Sequence, residues 1–169
     1  MNFITLDKFQ LKLAKEEDSH LIIDMLKGIA QWMKNNEINQ WQYLLTGGDD
    51  EEIKQAILDK KTYILLDGNK LIATFTLSSV QSEWDEHIFG KEVDSDSLYL
   101  HRFAVIPTHM RQGIGESILV WIQQNVRDKK YVKLDCVAKN KKLNNFYKNY
   151  GFEYLGETDG HSKFQKKLR

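Results

Sequence analysis

An apolar, β-rich run from Leu98 to Ile106 is stopped by the only proline in the chain, Pro107, and the glycine-bearing loop that follows opens directly into an amphipathic segment. The stretch Leu98 to Ser117 therefore predicts a strand, a loop and a helix N-terminus in that order. The first backbone N–H groups of a helix lack internal partners and its dipole is positive at that end, so such a junction suits an anion. Gly113 and Gly115 would let a phosphate approach the backbone where a Cβ would obstruct it.

A chain of 169 residues with 41% hydrophobic residues can build one substantial core, so a single domain over Met1–Arg169 is expected. Lys and Arg together number 24 and match the 24 of Asp and Glu. With zero net charge no overall field draws the protein to nucleic acid or an anionic membrane. The single cysteine, Cys136, cannot form an internal disulfide. Met1 to Thr5 lacks the charged and apolar regions of a signal peptide, and no apolar run approaches the roughly 20 residues that span a bilayer. These features predict a soluble, cytoplasmic protein and leave a homodimer open.

The hydrophobic period changes along the chain in a definite order. Phe9 to Leu13 alternates as a strand, and Leu21, Ile22, Met25, Leu26, Ile29, Trp32 and Met33 recur at helical spacing up to Asn35-Asn36. Gly28 is a mild defect in that helix, tolerable where something packs closely against it. Asp49 and Glu52 read as reciprocal caps of a short helix reaching Asp59. Thr62 to Leu66, the turn Asp67-Gly68-Asn69, and Leu71 to Val80 form a hairpin. From Gln81 to Ser97 the pattern is irregular and acidic, which predicts a long loop. Ile114, Ile118, Ile122 and Val126 then mark a helix, Tyr131 to Val137 a strand, and Leu143, Phe146, Tyr147 and Tyr150 a helix begun near Asn140 and ended by Gly151. Phe152 to Leu155 and Ser162 to Leu168 close the chain around the turn Asp159-Gly160. The fold class is α/β of the mixed α+β kind, a mixed sheet with helices on its faces rather than a regular doubly wound fold.

Two nucleotide-binding loops are excluded. Gly115-Glu116-Ser117 lacks the lysine that precedes the hydroxyl residue of a triphosphate loop, and Ile118 stands where a dinucleotide fingerprint needs its third glycine. A second constellation gives the loop a meaning. Asn140 opens a helix carrying Phe146 and Tyr147, followed by Tyr150-Gly151-Phe152. Together with Met110 to Gly115 after Phe103-Ala104-Val105, this resembles the GNAT superfamily of N-acetyltransferases, whose pyrophosphate loop reads Arg/Gln-x-x-Gly-x-Gly/Ala and whose later motif pairs an asparagine with a helical aromatic pair and Gly-Phe. The resemblance covers most of the chain from Phe9 onward. Met110 departs from the family's Arg or Gln, with Arg111 and Gln112 adjacent.

The resemblance implies a three-layer fold whose mixed central sheet has a splayed strand pair, the strands ending at Val105 and Val137. It implies acetyl-CoA as acyl donor, without a metal, held by Phe103, Ala104 and Val105, by Met110, Arg111, Gln112, Gly113, Ile114, Gly115, Glu116 and Ser117, and by Asn140, Leu143, Phe146 and Tyr147. The pantetheine amides would pair with the backbone of Phe103 and Val105. An acceptor amine would attack the thioester directly, which requires a proton acceptor, oxyanion stabilisation and a donor to the departing thiolate. Tyr147 matches the family position that donates to sulfur; otherwise it is a core aromatic. For the base, His101 is the sharpest candidate, since imidazole accepts a proton near neutral pH and some family members acting on arylalkylamines carry a functional histidine there. A carboxylate from Glu92 to Asp96 or a water relay is the alternative. A bulge in the strand would alter the alternation that sets Tyr99, His101, Phe103 and Val105 on one face.

Asp135 is positioned to orient neighbouring polar groups, while Cys136 on a buried strand reads as packing. The acceptor site would draw on Trp32, Glu37, Trp41, Trp84 and Tyr99, with aromatic rings caging an amine and an acidic group holding its charge. Trp32 also falls on the core stripe of its helix, more so than Trp41. The expected reaction is acetyl transfer to a primary amine of a small molecule; a non-catalytic acyl-CoA-binding or interaction protein is the alternative.

Overall fold

In the computed structural model, residues 8–38, 40–93 and 96–168 are described. The chain divides into two units, one of Met1–Thr76 with Arg102–Ile122, the other of Leu77–His101 with Gln123–Arg169. Among the described residues seven strands, β1 (Gln10–Leu13), β2 (Thr62–Asp67), β3 (Lys70–Ser78), β4 (Ser97–Val105), β5 (Tyr131–Val137), β6 (Glu153–Thr158) and β7 (His161–Lys167), stand in the hydrogen-bonded order β1-β2-β3-β4-β5-β7-β6, a mixed sheet accompanied by helices. Strands β3 (Lys70–Ser78) and β4 (Ser97–Val105) each contribute residues to both units.

The first unit begins with β1 (Gln10–Leu13), antiparallel to β2 (Thr62–Asp67), which pairs with β3 across a hairpin closed by Asp67 and Lys70. Gly68 takes φ +61 in that turn, a conformation that glycine adopts without steric cost. Helix α1 (Ser19–Asn35) buries Ile22, Ile23, Leu26, Ile29 and Ala30, while Leu21 remains 52% exposed. The buried stripe is thus rotated by one residue from the predicted one, because Ile23 and the small Ala30 fill the core side. These residues pack with Leu44, with Ile53 and Ile57 of α2 (Asp50–Leu58), with Ile64 and with Ala104. Gly28 is exposed, and a Cβ placed on it would meet nothing within 4 Å, so no close packing accounts for it. The reciprocal cap predicted for α2 is not formed: Asp49 is the N-cap residue without a side-chain cap bond, and its Oδ2 lies 3.5 Å from an Arg102 guanidinium nitrogen instead. The unit ends at Ile122, within α4 (Ile114–Asn125), of which Ile114, Ile118, Leu119 and Ile122 are buried.

The second unit corrects the long-loop expectation. Within residues 81–97 lies a helix, α3 (Glu83–Phe89), opened by a capping box in which Ser82 and Asp85 exchange backbone and side-chain bonds, and followed by Gly90 at φ +78. Its acidic first turn mimics a solvated loop in sequence, yet suits a helix N-terminus. Strand β4 runs parallel to β5 (Tyr131–Val137) with Ser97, Leu98 and Tyr99 opposite Tyr131, Val132 and Lys133. β5 is antiparallel to β7 (His161–Lys167), which pairs in turn with β6 (Glu153–Thr158). Both residues of the β6–β7 turn, Asp159 and Gly160, have positive φ, the twist a tight hairpin favours. Helix α5 (Lys141–Asn149) starts at Asn140, whose Oδ1 accepts the Leu143 N–H, and the chain leaves it through Gly151 at φ +85. Among the described residues, no helix is long and apolar enough to cross a membrane.

Replacing Gly28 by alanine is expected to stabilise the protein by ~0.5–1 kcal/mol, since the position is helical, exposed and open. Thermal unfolding should show a midpoint raised by about 1–4 °C; a lowered midpoint would mean the glycine is required.

Candidate active site

In the first unit, β4 leads through Ile106, whose N–H donates to the Ile72 carbonyl at 2.9 Å, into a short turn at Pro107–His109. Met110 is extended, Arg111 is left-handed at φ +64, and Gly113 is left-handed at φ +81. The carbonyl of Gly113 accepts both the N–H and the hydroxyl of Ser117, at 3.0 and 2.8 Å, which locks the first turn of α4. From Arg111 to Glu116 no backbone N–H finds an acceptor among the described residues. A row of unclaimed donors at the head of a helix is an anion cradle, and its left-handed members bend the chain as anion-binding nests do. Arg111 and Gln112 are exposed beside it, the latter with its amide on the Thr108 carbonyl at 3.3 Å. Met110 is half-buried and carries no charge to the loop.

Upstream, Phe103 and Val105 are half-buried and Ala104 belongs to the core. Arg102, just before them, takes φ +48 inside the strand and breaks the alternation that would have set Tyr99, His101, Phe103 and Val105 on one face. Of the acceptor candidates in this unit, Glu37 is exposed and left-handed, Trp32 is half-buried, and Trp41, also left-handed, packs against the hydrophobic core. The core role expected more of Trp32 thus falls to Trp41.

In the second unit, Nε2 of His101 lies 3.0 Å from Oδ2 of Asp85, a carboxylate whose side chain is only 1% exposed. The competing carboxylates of the acidic segment are engaged elsewhere: Glu92 with Lys133 at 2.6 Å, Asp96 with Lys130 at 3.6 Å. Asp94 and Asn39 lie outside the described residues. Tyr147 is buried among Phe146, Phe152 and Phe164, with ring centroids at 5.3, 5.4 and 5.7 Å. Its hydroxyl has no hydrogen-bond partner among the described residues. Burial, with Cys136 and Asp135 adding to it, pushes its phenol well above the ordinary tyrosine range, so it stays protonated. The helix bearing it is tied down by Asn144, which donates to the Val137 and Asn140 carbonyls at 3.1 and 2.8 Å.

A third group gathers around β5. Asp135 accepts from the Trp84 indole at 3.1 Å, and Nδ1 of His161 stands 3.1 Å from the same oxygen. The Trp84 and His161 rings meet edge to face at 4.8 Å. The hydrogen-bonding contact with Asp135 raises the His161 pKa against an opposing effect of burial, the charges of Asp135 and Asp159 helping. Tyr99, proposed beside Trp84 from sequence, is instead 1% exposed and packs its ring on Phe89 at 5.6 Å. Asp85, Asn144 and His161 carry no distinctive motif; the one local signal, overlooked in the acidic segment, is the Ser82-x-x-Asp85 capping spacing, and nothing local links it to His101.

The sequence model of the acetyltransferase (GNAT) family matches residues 27–152. The chain belongs to the GNAT family of acetyltransferases. A Bacillus subtilis (strain 168) protein called Uncharacterized N-acetyltransferase YesJ is 32% identical over 165 residues, covering 96% of this chain and 92% of that one. A GNAT-family acetyltransferase crystal structure from Listeria monocytogenes 4b F2365 superposes with TM-score 0.79 at 25% identity, over 94% of each chain. PaiA N-acetyltransferase from Thermoplasma acidophilum, crystallised with coenzyme A, shares the fold with TM-score 0.75 at 15% identity, over 94% of this chain and 98% of that one. By its family, this GNAT protein is an N-acetyltransferase with acetyl-CoA as acyl donor.

Within the GNAT chain Cys136 is buried on β5, next to Asp135. Burial first, then the charge of Asp135, pushes its thiol up to about 12. At neutral pH it should resist a disulfide-exchange reagent in the folded protein and react only in denaturant; rapid labelling of the native protein would contradict that burial.

Proposed function

We propose that this acetyltransferase, acting as one domain across Met1–Arg169, transfers the acetyl group to the primary amine of a small cationic molecule by direct attack on the thioester. The observation that carries the reading is a pair of unengaged groups in the second unit. His101 has one ring nitrogen on Asp85 and the other without a protein partner, and Tyr147 has a protonated, unpartnered hydroxyl. A base and an acid left free by the fold are what the aminolysis of a thioester requires.

Anchorage is assigned to the first unit. The N–H groups from Arg111 to Glu116 would take the pyrophosphate, with the exposed Arg111 adding charge where Met110 supplies none. Peptide groups of Phe103 and Val105 would pair with the amides of the pantetheine arm. Asn140, Leu143 and Phe146 are read as shaping the start of α5 that presents Tyr147. Acetyl-CoA supplies an activated acyl carbon. His101 accepts a proton from the amine; the amine nitrogen forms the new bond to that carbon; the carbon–sulfur bond breaks with its electron pair on sulfur, and Tyr147 gives sulfur a proton. His101 then releases its proton to solvent and Tyr147 regains one.

A cationic acceptor is supported by the carboxylate of Asp135 beside the indole of Trp84, since an aromatic face and a carboxylate together favour an ammonium. An acetyl-CoA-dependent reaction and one unpaired cysteine support a cytoplasmic place of action.

Free CoA release from acetyl-CoA, measured across spermidine, phenylethylamine, lysine and a lysine-containing peptide, tests the acceptor class. Release with a free amine supports the proposal; release with the peptide alone, or binding without amine-dependent release, overturns it. Tyr147→Phe is expected to lower kcat by about 10²-fold with little change in acetyl-CoA affinity, and unchanged turnover would remove its role. Gly113→Val places a β-branched residue at φ +81 and should weaken acetyl-CoA binding about ten-fold or more by calorimetry, with the circular dichroism spectrum retained. Wild-type affinity would sink the pyrophosphate assignment.

A further inference from the structure

Asp85 is more than the cap of a short helix. Its Oδ2 accepts the Ser82 N–H at 2.9 Å and faces Nε2 of His101 at 3.0 Å, while the Ser82 hydroxyl accepts the Asp85 N–H at 3.1 Å. The other carboxylate oxygen, Oδ1, is buried and has no hydrogen-bond partner. A capping carboxylate normally stays in contact with water, because burying a charge costs free energy unless donors or an opposite charge replace the water. Here one oxygen carries both donors and the other none. The buried group is left short of positive charge whenever the facing imidazole is neutral.

We propose that Asp85 is a positioning residue for His101, an inference that rests on His101 being the base as read above. An ionised carboxylate can only accept, so its contact with Nε2 requires the ring proton of a neutral imidazole to sit there. Nδ1 is then the lone-pair nitrogen, and no protein group among the described residues occupies it. The amine N–H bond breaks toward Nδ1, a bond from Nδ1 to hydrogen forms, and the resulting positive charge faces the carboxylate that lacked it. Asp85 keeps its own protonation state throughout, as the orienting carboxylate does in a serine hydrolase triad. The proton leaves Nδ1 for solvent. The first turn of α3 thereby sets the tautomer of a residue 16 positions further along the chain.

The test combines nitrogen-15 NMR of the histidine rings with steady-state kinetics, using acetyl-CoA and the fastest amine of the panel above. Wild-type His101 should be the Nε2–H tautomer; finding Nδ1–H overturns the proposal without any variant having to fold. Asp85→Asn places an amide donor where the carboxylate stood. It should turn the ring toward the Nδ1–H form and lower kcat by about 10²-fold or more, with KM for both substrates within about two-fold. Ser82→Ala removes the other half of the cap and keeps the carboxylate, so kcat should stay within about two-fold while the thermal midpoint falls. Asp85→Asn with wild-type kcat, or Ser82→Ala losing kcat as severely as Asp85→Asn, would reduce Asp85 to a structural cap. If His101→Gln retains wild-type kcat, the base assignment itself falls and this inference with it. If His101→Gln is slow and Asp85→Asn is not, only the positioning role is lost.

Discussion

Much in this chain turns on one residue that sits where few side chains do. Arg102 holds φ +48 within β4, a conformation that costs a non-glycine residue about 1 kcal/mol or more. Its guanidinium, 9% exposed, lies 3.5 Å from Asp49 and 3.9 Å from Glu52, at and near the head of α2. The boundary between the two units falls immediately before Arg102. Up to His101 the strand belongs with the second unit, where Tyr99 is buried and His101 meets Asp85; from Arg102 it belongs with the first, where Ala104 enters the core and the chain runs on to Pro107 and the donor loop.

The loop beyond that strand shows why a departure from a family motif can be tolerated. Anion recognition by consecutive main-chain N–H groups depends on backbone shape, which Gly113 and the left-handed Arg111 provide. A side chain at Met110 would add a charge-assisted contact but would not create the cradle. By contrast, proton transfer depends on particular atoms held at particular distances, and the two groups proposed for it are held by their neighbours: Tyr147 by three aromatic rings, His101 by a buried carboxylate.

Adjacent positions of β5 illustrate how one strand serves two purposes. Successive side chains point to opposite faces, so Cys136 is buried while Asp135 meets Trp84 and His161. The same burial that keeps the cysteine inert helps keep Tyr147 protonated.

Much of this was legible in the residues alone. Hydrophobic period, one proline and a few turn glycines were enough to place the β2–β3 hairpin, the strand ending before Pro107, the helix after Gly113 and the helix from Asn140 to Gly151. Each follows from local stereochemistry within a few residues. The helix at Glu83–Phe89 was hidden because seven residues are too short for a clear period and its acidic first turn resembles a solvated loop. The rotation of α1, which exposes Leu21 and buries Ile23 and Ala30, and the packing of Trp41 on the core depended on which neighbours filled the space. The residues alone placed every strand and helix except α3, the glycine loop proposed to bind an anion, and the candidate acid and base. Tertiary structure alone decided that Asp49 meets Arg102 rather than capping its helix, where Arg102 interrupts the alternation of β4, and that Asp85 meets His101, because each joins residues too far apart along the chain for local geometry to couple them.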